Sequence, residues 1–310
     1  MDRIIADFGT GAPGPTILCI GSLHGSEPAG ARAAARVADQ IAGRDLPVAG
    51  RLVLVRGNLA ALQAGTRYVD VDLNRLWDPA EVDAVVAGPT ADEPAEHAEM
   101  RELHDILHSV AGAAEGPVCV LDLHTTSSPG MPFMWLIPSV GIEAILPEYG
   151  LPMVHDSLGR IHGTLGQYAA ALGHEVIVAE GGQHADPRAA DAHEAVVWLT
   201  LARLGAVREG HATDALDRAR AELRDRAPTG PALYEIAYHH KIDDTDGFRM
   251  VPGYESFMQV SAGERLATDL RGPVAAPVSG RILMPLYQPP CDDGFMIVAE
   301  SDSWPAPSAR

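Results

Sequence analysis

Four places in the chain combine residue types that could bind a metal ion and activate water. "CIGSLHGSEPAG" carries His24 and Glu27, three residues apart, where an apolar run gives way to a helical pattern. "TRYVDVDLNR" carries Arg67, Asn74 and Arg75, "DLHTT" carries His124, and "AEGG" carries Glu180. Two histidines and one carboxylate, with a fourth position left for water, form a catalytic zinc set. The H-x-x-E spacing lets two ligands, His24 and Glu27, meet one ion from a single turn. The third, His124, then comes from a distant strand end. A second carboxylate outside the ligand set must take a proton from the activated water. Arginines can supply a donor for a developing oxyanion and a fork for a substrate carboxylate.

Each motif alone has an ordinary reading. Helix starts favour acidic residues, so an isolated H-x-x-E binds metal only about one time in ten. A lone histidine after a strand is more often hydrogen-bonded in a core, an isolated Glu180 could cap a helix, and Asn74 and Arg75 alone are ordinary loop residues. Their joint placement argues for a site, because ligands of open α/β sheets bind at the carboxyl ends of strands. His104 and His108 share one face of a Glu-rich helix and need no metal, and His239 and His240 beside Lys241 read as a solvated strand or loop.

The elements that must position these residues are visible in the pattern. "PTILCIGS", "RLVLVRGN", "PVCVLDLHT" and "HEVIVAEGG" are apolar, β-branched runs and predict buried strands. Helical patterns lie between and after them. "SEPAGARAAARVADQIAG" has Ser26 as its expected N-cap and Pro28 in the first turn; "DEPAEHAEMRELHDILHSVAG" and "DPRAADAHEAVVWLTLARLGAV" follow. This alternation predicts an α/β sheet covered on both faces. After a charged helix, "DALDRARAELRDRA", the texture changes to short runs broken by glycine and proline, which predicts an all-β segment. The expected division is a catalytic domain over 1–229 and a β-rich domain over 230–310 that covers the site. "GPVAAPVSGRILMP" has the hairpin texture of a lipoyl-type carrier module, but it lacks the lysine such modules modify.

The 310 residues carry a formal net charge of −19, which argues against nucleic acid or an anionic membrane as partner. Lys241 is the only lysine. Three cysteines, Cys19, Cys119 and Cys291, form no C-x-x-C pair, and they read as core thiols in a reducing compartment. The N-terminus has no long apolar segment, and "AVVWLTLARLGAV" is too short to span a bilayer. A cytoplasmic protein is expected; a homo-oligomer stays open.

Together, "GSLHGSEPAG", "TRYVDVDLNR", "DLHTT" and "VIVAEGG" resemble the succinylglutamate desuccinylase/aspartoacylase family of the wider zinc carboxypeptidase-like fold. The resemblance runs from about residue 15 to 205 with the motifs in order, and the β-rich tail is similar to the family's C-terminal domain. It implies a mixed sheet flanked by helices plus a small all-β domain, with one zinc ion per chain on His24, Glu27 and His124. It also implies that Glu180 is the catalytic glutamate, that Arg67 polarises the scissile carbonyl, that Asn74 and Arg75 grip a substrate carboxylate, and that Tyr287 faces the substrate. Two departures stand out. Ser26 replaces a frequent asparagine. The arginine that aspartoacylases carry about ten residues before the catalytic glutamate is absent from "IHGTLGQYAAALGHEVIVA", with Arg160 just outside that stretch. The reading is a zinc-dependent deacylase of an N-acyl amino acid or similar small molecule. The alternatives are a metallocarboxypeptidase acting on peptides and a non-catalytic metal-binding protein.

Overall fold

The structure, a computed structural model, describes residues 1–9, 11–139, 148–227, 232–243, 245–288 and 292–302. In chain order its elements are β1 (Ile4–Phe8), β2 (Thr16–Gly21), α1 (Ala29–Gly43), β3 (Arg51–Arg56), α2 (Leu59–Ala64), α3 (Pro79–Val86), α4 (Ala95–Gly112), β4 (Val118–Thr126), β5 (Phe133–Leu136), β6 (Met153–His155), α5 (Leu165–Ala171), β7 (Glu175–Gln183), α6 (Arg188–Arg203) and α7 (Glu209–Arg226). The C-terminal strands are β8 (Leu233–Lys241), β9 (Arg249–Met250), β10 (Gln259–Val260), β11 (Arg265–Asp269), β12 (Gly272–Ala275), β13 (Gly280–Leu283) and β14 (Asp293–Glu300).

The four apolar runs form β2, β3, β4 and β7, which lie side by side in the order β3-β2-β4-β7 and are mutually parallel. Strand β2 shows why both faces must be covered. Ile17 and Cys19 point into the cluster formed with α1, α6 and α7, while Leu18 and Ile20 pack with α4 and α5 on the other face. Continuous apolar runs follow from burial on both sides. Cys19 and Cys119 are buried free thiols, as expected, and burial pushes both thiols up from their ordinary range. Cys291 lies outside the described residues.

The architecture is the mixed, helix-flanked α/β sheet expected from the sequence, with a small antiparallel sheet, β12-β11-β9, near the C-terminus. Among the described residues the large sheet has eleven strands, in the order β1-β3-β2-β4-β7-β5-β6-β8-β14-β13-β10. It passes from parallel to antiparallel pairing at β7-β5. The C-terminal strands enter it through β8, which pairs in parallel with β6. The expected boundary at 228–231 lies outside the described residues.

Three local expectations are corrected. Ser26 does not cap α1, which begins at Ala29 after Pro28 with no side-chain cap. The preceding residues instead form a tight turn in which the Glu27 amide donates to the His24 carbonyl. "GPVAAPVSGRILMP" is not a hairpin, because β12 pairs with β11 whereas β13 pairs with β14 and β10. His239 is not solvated: its side chain is 3% exposed and ion-paired.

Candidate active site

The turn after β2 is shaped by close approaches. A Cβ on Gly21 would lie 2.3 Å from the amide nitrogen of Ala31 in α1, and one on Gly25 would lie 2.1 Å from the carbonyl carbon of Ala61 in α2. Only glycine fits where backbones come this near. Ser22 adopts a left-handed φ of 64°, and its hydroxyl donates to the Glu27 carbonyl. The turn therefore presents His24 and Glu27 together, both buried.

His124 arrives from β4, and the three side chains converge. Glu27 Oε1 is 2.8 Å from His24 Nδ1, and Glu27 Oε2 is 3.2 Å from His124 Nδ1. The other nitrogen of each ring has its own carboxylate. Asp72 Oδ1 is 3.1 Å from His24 Nε2, and Asp122 Oδ2 is 3.0 Å from His124 Nε2. Carboxylates behind ligating histidines fix ring orientation in metal sites. Ligand atoms of His24, Glu27 and His124 all lie within 4.8 Å of one another, and no other group of three metal-ligating side chains meets this test among the described residues. The set fits a divalent cation, since two Nδ1 atoms face one carboxylate and both Nε2 atoms are already held.

The electrostatics agree. Burial would raise the Glu27 carboxyl, but His24 and His124 outweigh it and hold Glu27 well below the usual carboxylate range. Burial would lower the His124 imidazole, but Asp122 and Glu27 raise it well above its ordinary value. The pocket therefore attracts positive charge at this point.

Glu180 stands on β7, paired in register with His124 on β4. Trp135 on β5 donates its indole N–H to Glu180 Oε1 at 3.1 Å. Oε2 is buried and has no protein partner among the described residues. Burial pushes this carboxyl up to about 7, despite the lowering influence of His124.

The 66–75 segment holds the remaining predicted residues. Glu96 on α4, fully buried, accepts from the Val69, Asp70 and Val71 amides at 2.7, 3.0 and 3.2 Å, and from Asn58 Nδ2 at 3.0 Å. This one carboxylate pins the loop between Arg67 and Asp72. Arg67 pairs with Asp72 at 2.9 Å and lies 3.6 Å from Glu27. The Asn74 amide oxygen accepts from the Leu165 N–H at 2.9 Å, and its nitrogen lies 3.5 Å from His124 Nε2. The Arg75 guanidinium donates to Asp293 at 2.7 Å.

These residues line one cavity of about 540 Å³, within the size range of small-molecule sites. Trp135, Ile137, Ile161 and Val178 give it an apolar side, and Met284, Leu286, Tyr287 and Asp293 come from the C-terminal strands and loops. Tyr287 is in the wall, but its hydroxyl is engaged with the backbone of Val251 and Tyr254. Arg160 is not among the lining residues; it donates to the Ile236 carbonyl and lies 3.6 Å from Asp156.

Sequence reasoning missed Asp72, Asp122, Trp135, His184 and Asp293. The D-x-H spacing on a strand, which puts two side chains on one face, could have revealed Asp122. His184 lines the cavity with its Nδ1 2.7 Å from Thr125 Oγ1. No local signal marks Trp135 or Asp293.

A mixed α/β sheet thus carries a buried His-Glu-His cluster and a buried glutamate toward its strand ends. Residues 13–135 match the succinylglutamate desuccinylase/aspartoacylase catalytic domain. A succinylglutamate desuccinylase of Burkholderia pseudomallei (strain 1710b) is 33% identical over 112 residues, which cover 36% of this chain and 30% of that protein. The aligned stretch thus spans under a third of the curated relative. The crystal structure of a succinylglutamate desuccinylase/aspartoacylase from Rhodobacter sphaeroides superposes with a TM-score of 0.67 at 16% identity, covering 96% of this chain and 88% of that one. Murine aminoacylase 3 does so with a TM-score of 0.58 at 17% identity, covering 93% and 96%. The resemblance carried by the motifs is borne out: the catalytic-domain match falls on residues 13–135, and the fold of solved desuccinylase/aspartoacylase structures extends over nearly the whole chain.

Proposed function

We propose that this protein is a zinc-dependent hydrolase that cleaves the amide bond of an N-acyl amino acid or a similar small molecule. The observation that carries this reading is the convergence of His24, Glu27 and His124 beside the Glu180 carboxylate in one cavity. His24, Glu27 and His124 would hold the ion, and a divalent metal there supplies Lewis-acid chemistry to a carbonyl and a water.

The chain's own residues do the rest. Glu180, held through Oε1 by Trp135, takes a proton from the attacking water on Oε2 and passes it to the leaving amine. Arg67, fixed by Asp72 and by the loop that Glu96 pins, donates to the carbonyl oxygen as negative charge develops. Asn74 and Arg75 orient a substrate carboxylate. The C-terminal strands and loops would act as a cover: Met284, Leu286 and Tyr287 line the cavity, which favours a small substrate over a carboxypeptidase's. No arginine lies in 161–179, and Arg160 is committed elsewhere. A second substrate carboxylate would therefore be desolvated without a partner, so neutral or basic N-acyl amino acids should outperform N-acetylaspartate.

The test is a hydrolysis screen of N-acetyl and N-succinyl amino acids with zinc-loaded protein, alongside metal analysis of the wild type and His124→Ala. Turnover of an N-acyl amino acid, with zinc lost in the variant, is expected. Equal zinc content in both proteins would overturn the ligand set. Release of C-terminal residues from peptides without any deacylation would favour the carboxypeptidase reading.

A further inference from the structure

Arg75 does not face the cavity alone. Asp293, the first residue of β14, lines the same space. Its Oδ2 accepts from Arg75 Nη2 at 2.7 Å, while Oδ1 lies 2.6 Å from His239 Nε2 and 2.8 Å from Lys241 Nζ. The Asp293 side chain is only 12% exposed. Burial alone would raise its carboxyl, but His239, Arg75 and Lys241 hold it far below the usual carboxylate range, so it is an anion.

The rest of the cavity's charge is similarly distributed. The Arg75 Nη1 donates to the Asn74 carbonyl, and its Nε, buried, has no acceptor among the described residues. Arg67, the other lining arginine, is paired with Asp72. Arg67 and Arg75 thus each have an aspartate on them, and Arg75 brings the fixed anion of Asp293 to the cavity wall.

Resting on the reading of this cavity as a deacylase site, we propose that Asp293 sets its charge specificity. The amine part of the preferred substrate carries a carboxylate for Arg75 and a cationic side group for Asp293. An amine part with a second carboxylate is rejected, because that group would meet the largely buried Asp293, where like charges repel. Lys241, the chain's only lysine, sits behind Asp293 at 45% exposure and moderates its charge from the solvent side. His239 fixes its orientation from β8.

Two readouts test this. The first is kcat/KM for N-acetylornithine, N-acetylleucine and N-acetylaspartate. The second is equilibrium binding of the product amines ornithine and aspartate by calorimetry, which does not depend on turnover. The wild type should favour the basic compound in both. Asp293→Asn should lower the basic-to-acidic ratio at least tenfold, with the two charge classes moving in opposite directions. Lys241→Gln, a change at a half-exposed position that should not disturb folding, should raise the same ratio a few-fold. Equal losses for all compounds in Asp293→Asn, or an unchanged ratio in Lys241→Gln, would reduce Asp293 to a structural ion pair and overturn the proposal. If binding shows the ordering but no N-acyl compound is hydrolysed, the deacylase reading fails while the role of Asp293 in charge selection stands.

Discussion

In the parallel half of the sheet, His24, His124 and Glu180 each stand at or just beyond a strand's carboxyl end, within a few residues of the apolar run that places them. In the other half, where pairing is mixed beyond β7, the cavity wall comes from scattered positions: Trp135 on β5, Met284 and Leu286 after β13, and Asp293 at the start of β14. The first half gathers reactive groups onto one rigid edge and backs each histidine with a carboxylate. The second half supplies apolar surface, a hydrogen bond to Glu180 and a charge on Arg75. The difference suggests that the chemistry resides in the parallel half and selectivity in the mixed half, and graded substitutions can break or sharpen that division.

The largest effect should come from Glu180→Gln. The amide keeps the shape and cannot accept a proton, so turnover should fall by about 10²–10⁴-fold while zinc content is retained. A near wild-type rate on a validated substrate would remove Glu180 from the chemistry. Arg67→Ala should follow, with kcat reduced by about 10²–10³-fold, the usual loss for an oxyanion donor. Asp122→Asn replaces the carboxylate behind His124 and should weaken zinc affinity by about 10–100-fold, read by competition with a chelator. Unaltered affinity would show that Asp122 does not support the ligand set.

Leu286→Ala, in the mixed half, should give the smallest change. It enlarges the apolar wall and should shift kcat/KM among acyl chain lengths by about 10-fold, a change on the scale of one or two methylenes in a pocket. Zinc affinity should not follow it. A fall in metal content on this substitution would mean that the two halves are coupled and that the division proposed here is wrong.

Much of the parallel half was legible in the chain. A strand buried on both faces needs an unbroken apolar run, and chemistry at its end needs polar residues immediately after it, so β2, β4 and β7 announced both themselves and His24, His124 and Glu180. Those signals are local because the backbone fixes the direction and spacing of neighbouring side chains. What lay beyond local reach was the partnership between distant segments. Glu96 reads as one more acid on a surface-like helix, yet it is fully buried and holds the loop of Arg67. Trp135 reads as a core aromatic and holds Glu180. Asp293 reads as a loop acid, although 218 residues separate it from Arg75. A hydrogen bond needs its two groups within about 3 Å in a suitable direction, and for residues so far apart only the packed sheet decides that. Composition and pattern therefore determined the class of fold and the candidate site residues, whereas tertiary packing alone decided what each of them is tied to.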